Sequence, residues 1–334
     1  MILIISNKSD IHCNPVIKIL NDQKKDFFRL NTEDLVTNYT LTYKQSFNIK
    51  KPTLEIINKI NNKKINFEEI SSIWERRPLT ADIGISSSSD QKVKKILQDE
   101  SNELNWWIRS FAKVKKYIGH YYLDRSNENK LLQLQTASEI SKFTNKVYTP
   151  DTILSNDYQE IFQFYNSRNV SEIVVKPIGS DSIEINDTVE MPFMSKKVNI
   201  QLLKDMEQSI KFCPIFTQKY IHKRHEFRIT VIGNKCLTCK IDSQSLPSGQ
   251  GKEDWREGYQ LGPLPQTYIE TPKELEKFCL AYLKSTKLNF GCFDFIEDID
   301  HNYVFLECNP NGQWMWMEQE TGIPISREIV NYLT

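Results

Sequence analysis

The chain has 334 residues, 39% of them apolar and 26% charged, with 43 acidic and 43 basic side chains. That length exceeds one simple core and suits two or three domains, and the zero net charge removes any global electrostatic case for nucleic acid or an anionic membrane as partner. Seven cysteines, an odd number, read as the reduced thiols of a cytoplasmic protein rather than a disulfide framework. No window approaches a membrane span, and the apolar run Ile2–Ile5 is too short for a signal peptide.

Ile2–Ile5 predicts a buried first strand, followed by a polar loop at Ser6–Asp10 and a helical run around Val16–Leu20. Phe27–Leu30, Tyr39–Tyr43 and Ser72–Trp74 read as further strands. Strands alternating with a helix suggest a small open α/β domain, whose ligands sit at the carboxyl ends of its strands. Arg76 and Arg77, in Glu75-Arg76-Arg77-Pro78, would lie there. They could hold a phosphate or carboxylate through bidentate hydrogen bonds, or pair with surface carboxylates. Ile85–Asp90 is a polar connection. Leu97, Leu104, Ile108 and Phe111 then recur at helical spacing through a run that includes Trp106 and Trp107. Adjacent tryptophans cannot both face one core, so one is expected to meet a partner. A second helix is expected over Lys130–Phe143, with Leu131, Leu134 and Ile140 on one side and capping groups in Ser126–Asn129. Tyr148–Thr152, with Pro150, breaks it and leads into a strand.

Ser171–Pro177 reads as a short buried strand ending in Lys176, followed by Ile178-Gly179-Ser180-Asp181-Ser182. Burying an unpaired ammonium is costly, so Lys176 needs an anion, either a nucleotide phosphate or a carboxylate elsewhere in the chain. The chain contains no GxxxxGK[ST] and no GxGxxG, which removes the main support for P-loop and dinucleotide-binding readings. Pro214–Ile221 and Arg224–Gly233 are strand runs. Glu226 and Arg228 are two apart and so share a face, as a cleft wall or a solvated edge. Cys236 and Cys239 form a lone CxxC that makes a poor zinc site. Ser243–Gly262 is a long polar segment containing Asp254-Trp255-Arg256, expected to be functional and partly docked through Trp255. Gly291–Ile296 and Tyr303–Leu306 flank turn chemistry at Asp300-His301-Asn302. Such a hairpin would bring Asp294, Glu307 and Asn309 together, as hard ligands for Mg²⁺ or as a solvated acidic turn.

Taken in order, Lys130 before a helix that ends at Thr149-Pro150, Lys176 in VVKP, and FDFIED…FLECNPNGQW resemble the ATP-grasp superfamily of carboxylate-activating ligases. Trp74–Pro78, QKYIHKRHEFRITVIG, Asp254-Trp255-Arg256 and NPNGQW look like the microviridin-type peptide maturases, which install ω-ester or ω-amide cross-links in ribosomal precursor peptides. The resemblance implies an α/β (α+β) ATP-grasp fold with an N-terminal α/β domain at 1–120, a central subdomain at 121–215 and a C-terminal subdomain at 216–334. It also implies ATP and Mg²⁺ as cofactors, with Lys130 and Lys176 on the ATP phosphates and Gln218, Lys219, Tyr220 and Ile221 along the adenine. Glu226 would hold the nucleotide, Arg228 would face the γ-phosphate and acyl phosphate, and Asp294, Glu307 and Asn309 would ligate Mg²⁺. Arg76, Arg77 and Arg256 are the candidate substrate contacts. The loop after Lys176 departs from the family in being poorer in glycine than many of its phosphate loops. Implied partners are a precursor peptide with a helical leader and a second copy of the chain, with no nucleic acid and no membrane. Two other readings remain: a carboxylate–amine ligase acting on a small molecule or protein terminus, and a non-catalytic nucleotide- or peptide-binding protein on the same scaffold.

Overall fold

A computed structural model describes the chain except for residues 48–50, 85–89, 112–113, 168–169, 171, 180–181, 187–188, 193, 247–248, 250 and 259–261. Most of the expected connection Ile85–Asp90 and part of the loop after Lys176 therefore lie outside the described residues. Ile2–Ser6 is buried throughout, and its first four residues are apolar, because both of its faces are covered. Ile2 and Ile4 enter one core with Cys13, Val16 and Leu20 of the helix Cys13–Asp22, and Leu3 and Ile5 enter another with Phe28, Leu30 and Ile56. This strand is central in a parallel sheet ordered Phe27–Asn31, Ile2–Ser6, Ser72–Glu75, Lys116–Ile118. A three-stranded antiparallel sheet, Tyr39–Lys44, Thr53–Asn58 and Lys64–Asn66, adds Leu54, Ile56 and Ile65 to the second core. The helix Gln91–Phe111 buries Ile108, but Leu97 is exposed, so the expected stripe is only partly core. Of the tryptophan pair, Trp107 faces outward with 60% of its surface exposed.

Two further sheets follow. A four-stranded antiparallel sheet is ordered Lys196–Val198, Ile173–Lys176, Ile215–Lys219, Thr152–Ser155. A six-stranded sheet is ordered Gln266–Ile269, Lys235–Ile241, Lys223–Ile232, Phe290–Asp298, Tyr303–Asn309, Val147–Tyr148. Phe227, Ile229 and Val231 of the third of these strands face a core with Phe278 and Tyr282 of the helix Lys273–Thr286. Period-two alternation then turns Glu226, Arg228 and Thr230 to the opposite face.

The helix Lys130–Ser141 starts on Asn129, whose side chain accepts from the main-chain N–H groups of Leu131 and Leu132 at 3.0 and 3.3 Å. Leu131, expected on the apolar side, is exposed. Leu134 and Ile140 pack against the core as expected, joined there by Gln133 and Ala137, and Gln133 is anchored because its amide bonds both main-chain groups of Cys308. This helix packs with the six-stranded sheet and Val147–Tyr148 joins it, so the stretch 121–215 contributes to that sheet as well as to the four-stranded one. Cys236 and Cys239 sit three apart on one strand and enter cores on opposite faces of the sheet.

The N-terminal sheet and the C-terminal end share one core. Ile2, Ile4, Trp74 and Leu20 pack in it with Trp314 and with Ile325, Ile329 and Val330 of the closing helix Ile325–Leu333. Among the described residues no helix is long and apolar enough to cross a membrane.

Candidate active site

Antiparallel register puts Arg228, Asp294 and Glu307 in one row on three adjacent strands, with a bulge just after Asp294. A bulge re-aims side chains at a sheet rim. Arg228 Nη1 donates to Asp294 Oδ2 at 2.6 Å. Lys130, at the start of its helix, reaches Glu307 Oε2 at 3.1 Å. Asn309 lies two residues beyond Glu307 on the same strand, exposed, with its side-chain oxygen accepting from the Asn311 N–H at 3.1 Å.

The electrostatics divide the two acids. Burial pushes the Asp294 carboxyl up, and Glu307 across the row adds to this, against the pull of Arg228. Burial also acts on Glu307, but Lys130, Lys176 and Arg228 outweigh it and hold that carboxyl below its usual range. Lys176 ends the strand Ile173–Lys176, and burial lowers its ammonium to about 8 despite the nearby Glu307. Three cations and two carboxylates thus converge from both sheets.

Gln218–Ile221 joins the two sheets: it runs from the end of Ile215–Lys219 into Lys223–Ile232. The Lys219 and Tyr220 N–H groups donate to the Asp151 and Glu172 carbonyls at 2.9 and 2.8 Å, and buried Gln218 donates to Thr152 Oγ1 at 3.0 Å. Glu226 lies deeper. Its Oε1 accepts from Lys223 Nζ at 2.8 Å and Ser243 Oγ at 2.6 Å, and burial raises its carboxyl against the pull of Lys223. Lys223 stands in the charged run His222–His225 that precedes Glu226 in the sequence, whereas Ser243 carried no signal that singled it out.

The three arginines proposed for substrate part company. Arg76 is 1% exposed, pairs with Asp10 Oδ2 at 3.1 Å, and donates from Nη1 to Asn311 Oδ1 at 3.1 Å and to the Gly312 carbonyl at 3.2 Å. It locks the NPNGQW turn to the N-terminal sheet and is not open to a ligand. Arg77 is exposed, and its guanidinium meets the Gln313 side-chain oxygen at 3.0 and 3.3 Å once that amide is oriented to accept. Arg256 clasps Asp254 through Nε at 2.8 Å and Nη2 at 2.5 Å.

The turn itself now has a physical role. Gly312 admits no side chain, since a Cβ there would lie 2.5 Å from Cys292 Cβ and 2.9 Å from Arg228 Nη2. The Gln313 carbonyl accepts from Arg228 Nη2 at 3.2 Å. Trp314 is fully buried, edge-on to His12 at 5.1 Å between ring centroids.

Two sheets joined by a hinge, with Lys176 on one and Lys130, two acids and an arginine on the side of the other, agree with the matches to known families. The RimK-like ATP-grasp domain matches residues 128–333, and the MvdD pre-ATP grasp domain matches residues 1–121. The chain belongs to the RimK-like ATP-grasp family. It is an ATP-grasp ligase, on a fold that binds ATP or ADP. A Chryseobacterium gregarium RiPP-associated ATP-grasp ligase, in complex with ADP and a leader and core peptide, is similar over 99% of this chain and 96% of its own, with 26% identity and a TM-score of 0.86. Macrocyclase MdnC from Microcystis aeruginosa MRC, bound with precursor peptide MdnA, is similar over 100% of this ligase and 99% of its own chain, with 26% identity and a TM-score of 0.80. Macrocyclase MdnB from the same organism shares the fold at 22% identity and a TM-score of 0.72. No curated protein matches the ligase.

Proposed function

We propose that this ATP-grasp ligase is a macrocyclase of a ribosomally made precursor peptide. It phosphorylates Asp or Glu side chains, and the acyl phosphates are attacked by Thr or Ser hydroxyls to give ω-esters, or by Lys amines to give ω-amides. The observation that carries the chemistry is the row Arg228–Asp294–Glu307 with Lys130 bonded to its end. The match of the N-terminal 121 residues to the MvdD pre-ATP grasp domain, and the peptides bound to MdnC and the Chryseobacterium ligase, support the peptide substrate.

A carboxylate is a poor electrophile because attack on it must expel oxide. Taking the γ-phosphoryl of ATP, with release of ADP, turns that oxygen into part of a good leaving group. The transfer needs positioning and charge neutralisation, which Lys130, Lys176 and Arg228 supply without covalent catalysis. A hydroxyl or amine held nearby then attacks the acyl carbon, phosphate leaves, and the nucleophile's proton is released. Asp294, Glu307 and Asn309 suit magnesium, being two carboxylates opposed on neighbouring strands with an amide oxygen two residues along, all hard oxygen donors. Held by these residues, magnesium would supply positive charge that neutralises the phosphates. In this reading Gln218–Ile221 lies along the adenine, and Arg77 and Arg256 contact the peptide. The partner is a precursor with a helical leader. The enzyme works in the cytoplasm as a homodimer, for which outward-facing Trp107 supplies a contact candidate.

The test uses ATP, Mg²⁺, a candidate precursor peptide, and hydroxylamine. An acyl phosphate is trapped as a hydroxamate on Asp or Glu. Glu307→Gln is expected to lower ATP turnover by at least about 100-fold while sparing the fold, because it removes a charged group preorganised for the transition state. Unchanged turnover would remove Glu307 from the site.

A further inference from the structure

The segment carrying Asp254 ties the two sheets together at a point that neither the hinge nor the row of acids explains. Lys196–Val198 is an edge strand of the four-stranded sheet, so its outward N–H groups need partners. Two consecutive carboxylates supply them. Glu253 Oε2 accepts from the Lys197 N–H, and Asp254 Oδ2 from the Ser195 N–H, both at 3.2 Å. The segment is itself held to the other lobe. Lys223 Nζ donates to the Glu253 carbonyl at 3.0 Å, and the ring of Trp255 packs on that of Trp316 at 5.0 Å.

Asp254 is 6% exposed and serves two masters at once. The same carboxylate that takes the Ser195 N–H also takes the fork of Arg256 at 2.8 and 2.5 Å. Ser195 lies one residue beyond the Val175–Lys196 pair, which sets it beside Lys176 at the end of the neighbouring strand. The Asp254 hydrogen bond above all, with Glu307 and Asp294 adding smaller attraction, raises the pKa of the Arg256 guanidinium.

We propose that Asp254 is a positioning residue that couples seating of the four-stranded sheet, through the Ser195 amide, to the orientation of Arg256 beside the acids. The coupling rests on the ligase reading above. When the sheet carrying Lys176 seats over the nucleotide, the Ser195 N–H completes the Asp254 carboxylate and the arginine fork is held fixed. When the sheet lifts away, Asp254 loses that donor and Arg256 is freed to turn. Nucleotide binding on one sheet therefore prepares the guanidinium on the other.

Hydrogen exchange of the 194–199 segment of the full chain, with and without ADP and Mg²⁺, reads the seating directly. Steady-state turnover with the precursor reads its consequence. In wild type, ADP with Mg²⁺ slows exchange at Ser195 and Lys197. Asp254→Asn weakens the acceptor and is expected to abolish that slowing at Ser195. Because misplacement of a substrate-orienting group costs up to about 100-fold, kcat with the precursor should fall by about 10- to 100-fold, with the KM for ATP changed less than about threefold. Ser195→Pro removes the donor while leaving both side chains in place, and should reproduce the drop in kcat. A wild-type kcat in Asp254→Asn overturns the proposal. So does a slow Asp254→Asn beside a fully active Ser195→Pro, since Asp254 would then act on Arg256 alone. Wild-type protein that binds ADP but leaves the precursor unchanged overturns the macrocyclase reading instead, and the exchange data still decide whether the clasp exists.

Discussion

Lys176 shows how far a single side chain can be read. An ammonium ending an apolar strand demands an anion, and the sequence alone makes that demand visible. Burial lowers its ammonium to about 8, so with respect to stability its charge is a penalty below that pH, relieved as the pH rises towards the unfolded value. Function runs the other way, because the neutral amine no longer attracts phosphate. We predict that kcat/KM for ATP, which reports the free enzyme, declines above a pH of about 8, whereas Lys176→Arg flattens that alkaline limb. A wild-type profile flat to pH 10 would contradict this; pH 10 is about two units above the inflection. Arg76 marks the limit of such reading. Its neighbour Arg77 has the same chemistry in the sequence, yet Arg76 is buried on Asp10, Asn311 and Gly312, partners up to 236 residues away that no local pattern reveals. Arg76→Ala strands a buried carboxylate at Asp10 and is expected to destabilise the fold by about 3–5 kcal/mol, measured by denaturant unfolding. Arg77→Ala should leave stability within about 0.5 kcal/mol of wild type.

At the scale of elements, period-two alternation made Phe290–Asp298 and Tyr303–Asn309 legible as a hairpin, and the turn residues between them set its position. The register that opposes Asp294 to Glu307 includes a bulge at Leu306, which shifts the phase of the alternation so that Phe305 and Cys308, three apart, enter one core. The helix Lys130–Ser141 follows its pattern only in part. Of the expected apolar face, Leu134 and Ile140 pack against the core, but tertiary anchoring of Gln133 to Cys308 leaves Leu131 in solvent. The turn after the hairpin is the element most sensitive to a small change. Gly312→Ala puts a methyl against Cys292 and Arg228. We predict a loss of about 1–3 kcal/mol in stability from overpacking, together with slowed turnover because Arg228 must move. Wild-type thermal stability in this variant would show that the turn relaxes freely.

For the whole molecule, composition and length suggested two or three domains, but the way the parts are fastened was invisible. One core runs from Ile2 and Trp74 through Trp314 to Ile329, joining the N-terminal sheet to the final helix. Scanning calorimetry should therefore show the N-terminal sheet and the C-terminal lobe unfolding together. Trp314→Ala, which empties the largest fully buried side chain, should cost about 3–5 kcal/mol and separate their transitions. The account as a whole stands on what this ligase does to a peptide. Co-expression with a candidate precursor peptide, followed by intact-mass and fragment analysis, is the most direct measurement. The account predicts a loss of ~18 Da, one water, for each link formed through an acyl phosphate, mapped between an Asp or Glu and a Thr, Ser or Lys. ATP consumed with the precursor mass unchanged would contradict it and favour a carboxylate–amine ligase acting on another substrate.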